Sequence, residues 1–162
     1  MSGLSLNDFK NLLRDEVEKI AKDKQLNIDN LKDRSDCLNT WIASFYKNNY
    51  KYIDTDPEDA HLGGTKDLKI DLYLEDQTNK IIYLIQGEYL ALGRKSRDID
   101  EAKVESFLGN HYNLINSKWI RDHGNHYAIE LLIDYKKLIE KQGFQFKYIF
   151  ISTGSASDRI MQ

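Results

Sequence analysis

The chain has 162 residues, with 41% hydrophobic and 11% aromatic residues, a formal net charge of −3 and one cysteine, Cys37. That content excludes a disordered chain, and the length suits one domain with a core of its own. The charge gives no support to a general nucleic-acid coat, which needs an excess of Lys and Arg, although a local basic face can still hold DNA. A lone cysteine excludes an intrachain disulfide and a thiolate zinc knuckle. No apolar run approaches membrane-spanning length, and the N-terminus is not a signal peptide, so the expected setting is a soluble, cytoplasmic one with no membrane partner.

In chain order, Phe9, Leu12, Leu13, Val17, Ile20 and Ala21 recur at helical spacing and predict a helix over residues 6–22, with Asn7 as its N-cap. A polar connection follows. Leu38, Trp41, Ile42 and Phe45 predict a second helix over 36–48 with this stripe buried, capped by Ser35 or Asp36. A short strand is expected over 50–53, then a loop over 54–66 that contains Asp56-Pro57 and Gly63-Gly64.

Leu68, Ile70, Leu72 and Leu74 alternate with polar residues and predict a strand. Asp76-Gln77-Thr78-Asn79 is a hairpin connection to a continuously apolar strand over 80–90, the pattern of a strand covered on both faces. A basic loop over 93–96 precedes a helix over 97–117, with Ala102, Phe107, Leu108, Leu114 and Ile115 inward. A further helix over 127–141 stops at Gly143, and the last strand spans 146–152. The fold class is therefore α/β, a mixed central sheet flanked by helices. Residues 1–34 read as an N-terminal helical extension and 35–162 as the main domain. The chain ends ten residues after Ser152, which suggests a fragment of a longer protein with further domains.

The chemistry-bearing segment is Asp67-Leu68-Lys69-Ile70-Asp71, a hairpin, then Leu84-Ile85-Gln86-Gly87-Glu88-Tyr89. Gln86 and Glu88 are two apart and share one strand face, and hairpin pairing can bring Asp71 beside them. Three oxygen-bearing side chains at one sheet edge suit a hard cation, Mg²⁺ or Mn²⁺. Such an ion polarises a phosphate oxygen and acidifies a bound water, which is the chemistry of phosphodiester hydrolysis. Arg94, Lys95 and Arg97 follow this segment and are the candidate DNA-phosphate contacts. His61, His111, His123 and His126 form no recognisable zinc pattern. Gly63-Gly64-Thr65-Lys66 lacks the spacing of a phosphate loop. Glu16 and Asp36 read as solvated helix residues.

The stretch "DLKID … IYLIQGEYL" resembles the D-x-x-x-D … Q-x-K-Y signature of PD-(D/E)XK nucleases, in the Q-x-K variant of Mrr-type restriction endonucleases. With "CLNTWIASFYKNNY" before it and "FKYIFISTGSA" after it, it is similar to the nuclease-like N-terminal region of abortive-infection phage-resistance (AIPR) proteins, over residues 36–155. The resemblance implies a DNA endonuclease-like domain of anti-phage defence, with Asp71 as metal-binding aspartate and Gln86 in the position often held by Asp or Glu. Glu88 stands where the signature has its catalytic lysine. Three readings follow: activity lost with binding retained for nucleic acid or assembly, a lysine supplied from elsewhere (Lys103 first, then Lys69 and Lys66), or an engineered lysine-to-glutamate change. DNA is the expected partner, and a homodimer is left open.

Overall fold

The computed structural model describes residues 6–63, 66, 68–89, 99 and 101–153. Helices α1 (Leu6–Asp23) and α2 (Leu31–Asn49) come first. Strand β1 (Leu72–Asp76) pairs antiparallel with β2 (Ile81–Glu88), and β2 pairs parallel with β3 (Gln145–Ser152), in the order β1-β2-β3. Between β2 and β3 the chain forms α3 (Glu101–Leu108), α4 (Asn110–Leu114), α5 (Ser117–His123), α6 (His126–Leu132) and α7 (Tyr135–Glu140). The protein is thus mixed α/β, with a small three-stranded mixed sheet. No helix among the described residues is long and apolar enough to cross a membrane.

The sheet divides two hydrophobic clusters. Leu72, Leu74, Tyr83 and Ile85 face Leu13, Val17, Leu38, Ile42 and Tyr46 of α1 and α2. Tyr73, Ile82 and Leu84 face Phe107, Leu114, Ile120, Ala128, Leu132 and Tyr135 on the other side. β2 is central, and both its faces are apolar because both are covered, as its continuous run predicts.

Local chemistry moves several expected boundaries. Asn7 lies inside α1 and does not precede it. α2 begins five residues before the expected Asp36, because Asn30 accepts from the backbone N–H groups of Lys32 and Asp33 and so caps a turn that hydropathy alone does not mark. Its buried face carries Cys37, Leu38, Ile42, Ala43 and Tyr46, while Phe45 is turned out and stacks on Trp41. Residues 50–53 are not a strand; they turn the chain, and Lys47 donates to the carbonyls of Ile53 and Asp54.

The alternation of Leu68, Ile70, Leu72 and Leu74 is not one strand. Lys66, Leu68 and Lys69 adopt left-handed backbone, with φ of 55°, 60° and 62°. Leu68 and Ile70 consequently join the cluster opposite the one that receives Leu72 and Leu74. The helix expected over 97–117 is broken at Gly109, so that Ala102, Leu108 and Ile115 are exposed while Phe107 and Leu114 are buried. Asn116 and Asn125 cap α5 and α6, and Ile133-Asp134 separates α6 from α7 within the stretch expected as one helix over 127–141.

Candidate metal site at the end of the central strand

Gln86 and Glu88 are near the C-terminal end of β2. In the parallel register Gln86 lies beside Phe150 and Glu88 beside Ser152. Phe150 packs with the α3–α7 cluster, so strand alternation puts Gln86 and Glu88 on that face. Gly87 between them faces α2. A Cβ built on Gly87 would overlap Asn39 Oδ1 and come within 3.2 Å of Ile42 Cδ1. The absence of a side chain at 87 is what lets α2 approach the strand this closely.

β1 begins at Leu72, and Asp71, the residue before it, lies where its ladder with β2 stops. Asp71 N–H donates to Ile85 O at 2.9 Å, although Ile85 is already the partner of Leu72, so two residues of one strand oppose one of the other in the manner of a β-bulge. The bulge turns the Asp71 carboxylate to the next free donor, and Oδ2 accepts from Gly87 N–H at 2.9 Å. The structure therefore brings Asp71 to the residue between Gln86 and Glu88. The hydrogen bond it makes there replaces a missing strand-to-strand bond.

Polar satisfaction at the site is incomplete. Gln86 Oε1 and Glu88 Oε2 are buried and accept no hydrogen bond from the described residues. The Glu88 side chain is only 13% exposed, and its other oxygen, Oε1, lies 3.9 Å from Lys103 Nζ on α3. A buried carboxylate oxygen without a donor is costly, by roughly 1–3 kcal/mol or more for a charged group. Two such acceptors two residues apart on one strand face are the arrangement a hard cation satisfies. Asp71 does not share that face: it lines the cleft beside α2 and reaches the backbone N–H of Gly87 between them, so Gln86 and Glu88 are the two expected ligands the fold puts side by side. Among the described residues no group of three or more His, Cys, Asp or Glu side chains could hold a metal, so such a site has to use the Gln86 amide.

Lys103, the first of the replacement lysines expected from the sequence, is the one that approaches Glu88. Lys69 donates instead to Ser106 Oγ, one turn further along α3. Arg94, Lys95 and Arg97 lie outside the described residues.

Asp71 also borders a cleft of about 500 Å³ on the α2 side, lined among others by Asp36, Asn39, Thr40 and His61. In the sequence Asp36 reads as solvated helix surface and His61 belongs to no metal pattern. His61 Nε2 lies 3.3 Å from Thr40 Oγ1, and burial pushes its imidazole below the ordinary pKa despite the opposing pull of Asp36. The loop that carries His61 meets β1 through an isolated bridge between His61 and Leu72, and a pairing of that size leaves no periodic signal in a sequence.

No family model matches the chain, and no curated protein or solved structure matches it.

Proposed function

We propose that the chain is a DNA endonuclease-like domain of the PD-(D/E)XK type, in which Gln86 and Glu88 hold Mg²⁺ or Mn²⁺ for phosphodiester hydrolysis. We further propose, from the family resemblance alone, that it serves in bacterial anti-phage defence. The observation that carries the chemistry is the pair of buried acceptors, Gln86 Oε1 and Glu88 Oε2, left without a donor on one face of β2. The chain order supports the fold: an antiparallel pair, a helical crossover, then a strand parallel to the central one, with a helix packed on the sheet before it.

A divalent cation held there supplies polarisation of a phosphate oxygen and a more acidic bound water. Asp71 holds the backbone between the two ligands by accepting from Gly87 N–H. Lys103 is 56% exposed, so its ammonium can turn from Glu88 to a phosphate and supply the positive charge that the signature lysine provides in the family.

The same ion pair favours a second reading, an inactive nuclease-fold module for nucleic-acid binding or assembly. In that reading Lys103 neutralises Glu88 and stands where a cation would bind. Mn²⁺ binding followed by electron paramagnetic resonance, with Mg²⁺-dependent cleavage of plasmid DNA, separates the two. The active reading expects Mn²⁺ binding that Glu88→Gln weakens, and cleavage that Lys103→Ala abolishes. Cleavage appearing only in Glu88→Lys would establish the inactive reading. Wild type and Glu88→Lys both failing to bind Mn²⁺ and to cleave DNA would refute the nuclease reading.

A further inference from the structure

We infer that the pocket lined by Lys66, Lys69, α3 and α5 binds one nucleotide unit of a single DNA strand, its base on Trp119 and its phosphate between Lys66 and Lys69. The inference rests on the nuclease reading for its substrate and adds the path by which the strand leaves the site.

The pocket measures about 320 Å³, and its lining includes Lys66, Lys69, Ser106, Asn113, Trp119 and His123. That volume lies at the small end of ligand sites. No carboxylate is among its described lining residues, in a chain whose 26 acidic residues outnumber its 23 Lys and Arg. Against that background a pocket with two lysines and amide and hydroxyl groups is selective for an anion that also presents hydrogen-bonding edges. Its aromatic part is organised for stacking: the Trp119 and His123 rings lie 4.7 Å apart and 19° from parallel. Asn116 Oδ1 accepts from the Trp119 backbone N–H as the cap of α5, and His123 Nδ1 lies 2.9 Å from the Trp119 carbonyl, which fixes the His123 ring against the indole. A flat aromatic platform beside lysines is the combination that binds single strands without base preference.

The backbone that carries these lysines is arranged for this site. Three non-glycine residues, Lys66, Leu68 and Lys69, are left-handed, a conformation that costs on the order of 1–2 kcal/mol each. Two hydrogen bonds hold it: Asn110 Nδ2 donates to Leu68 O at 2.8 Å, and Asn125 N–H donates to Lys66 O at 2.7 Å. Strain that neighbours enforce in this way concentrates at binding sites. Here it brings two lysines to one pocket.

The pocket also adjoins the metal site. Lys103 meets Glu88, and Ser106, which accepts from Lys69, is three residues later on the same helix. Three residues advance about 4.5 Å along a helix axis. A strand with a phosphate at Glu88 and Lys103 therefore reaches the Lys66–Lys69 pocket with its adjacent nucleotide.

The test uses the whole chain in EDTA with a short fluorescein-labelled single-stranded oligodeoxynucleotide, read by anisotropy over a salt series. Trp119→Leu is expected to weaken binding roughly tenfold, the loss of one base stack. Trp119→Phe keeps an aromatic face and is expected to recover most of that loss, which a merely structural role would not produce. Lys66→Asn, which tolerates the left-handed backbone, is expected to reduce the slope of log affinity against log salt by about one. If the wild type binds and all three variants bind equally well with an unchanged slope, the pocket is not the strand's path. A wild type that takes up Mn²⁺ yet binds no oligonucleotide at low salt overturns the pocket too. In both cases Mn²⁺ uptake and plasmid cleavage still judge the nuclease reading separately.

Discussion

The two faces of the sheet are covered in opposite ways. Among the described residues, two helices of 18 and 19 residues cover the first, and five helices of at most 8 residues cover the second. A long helix presents a continuous apolar stripe and closes on the strand until backbone and side chain touch, as α2 does at Gly87. Each short helix instead brings two ends, and each end leaves backbone groups that need polar partners. Asparagines meet part of that demand at α5 and α6. Gln86, Glu88, Lys103 and the basic pocket all belong to the second face. The first face also buries polar groups, Asn39 and Thr40 of α2, but there they sit within one continuous helix and not at the ends of several short ones.

The largest expected effect tests the closeness of the first face. Gly87→Ala puts a methyl group against Asn39 Oδ1 and near Ile42 Cδ1 and is expected to cost about 1–3 kcal/mol, the range for overpacking a filled core. Urea denaturation measures it. Adding Asn39→Ala should return part of the loss, because it removes the nearest obstacle. A neutral Gly87→Ala would mean that α2 can shift outward at little cost, and the contrast between tight and loose faces would fail.

A smaller pair of effects compares helix ends on the two faces. Asn30 caps α2 and does nothing else that its side-chain bonds reveal. Asn125 caps α6 through Ala128 N–H and also donates to Leu62 O at 2.7 Å, tying the second face to the loop before β1. Asn30→Ala is expected to cost about 1 kcal/mol. Asn125→Ala should cost about 2 kcal/mol, one cap and one further hydrogen bond. Equal losses in thermal unfolding would show that the tie to Leu62 carries no stability of its own.

The same asymmetry decides what could be read from the sequence. α1, β2 and β3 are legible to within a few residues because each shows its own period over most of its length. The second face is not, because hydropathy runs on through Gly109 and Ile133-Asp134 while the chain breaks there, and the decisive signals are single polar side chains such as Asn116. The Gln-x-Glu pair follows from alternation along β2 alone. The position of Asp71 does not, because it depends on a bulge and on left-handed residues at 68 and 69, where alternation predicts plain extended strand. The lysine that meets Glu88 is nameable as Lys103, because the helix after β2 has to return across the sheet. The Trp119 pocket joins residues more than fifty apart in the chain and has no local signature.

The smallest effect concerns protonation in the cleft on the first face. Burial holds His61 below its ordinary pKa, Lys24 adds to that, and Asp36 and Glu58 only partly offset it, so the folded protein binds this proton less readily than the unfolded chain does. Stability must then rise with pH wherever the unfolded state alone is protonated. The contribution is complete above about pH 6.5, the unfolded value, and is progressively lost as pH falls from there toward the lower folded value. His61→Gln cannot titrate, so its stability should change less over that window, while the carboxylates that titrate at lower pH act on both proteins alike. Urea midpoints measured at closely spaced pH values provide the comparison. If the two profiles stay parallel through the window, His61 is as easily protonated in the fold as out of it, and the cleft beside α2 is open to water to a degree that its tight packing at Gly87 would not lead one to expect.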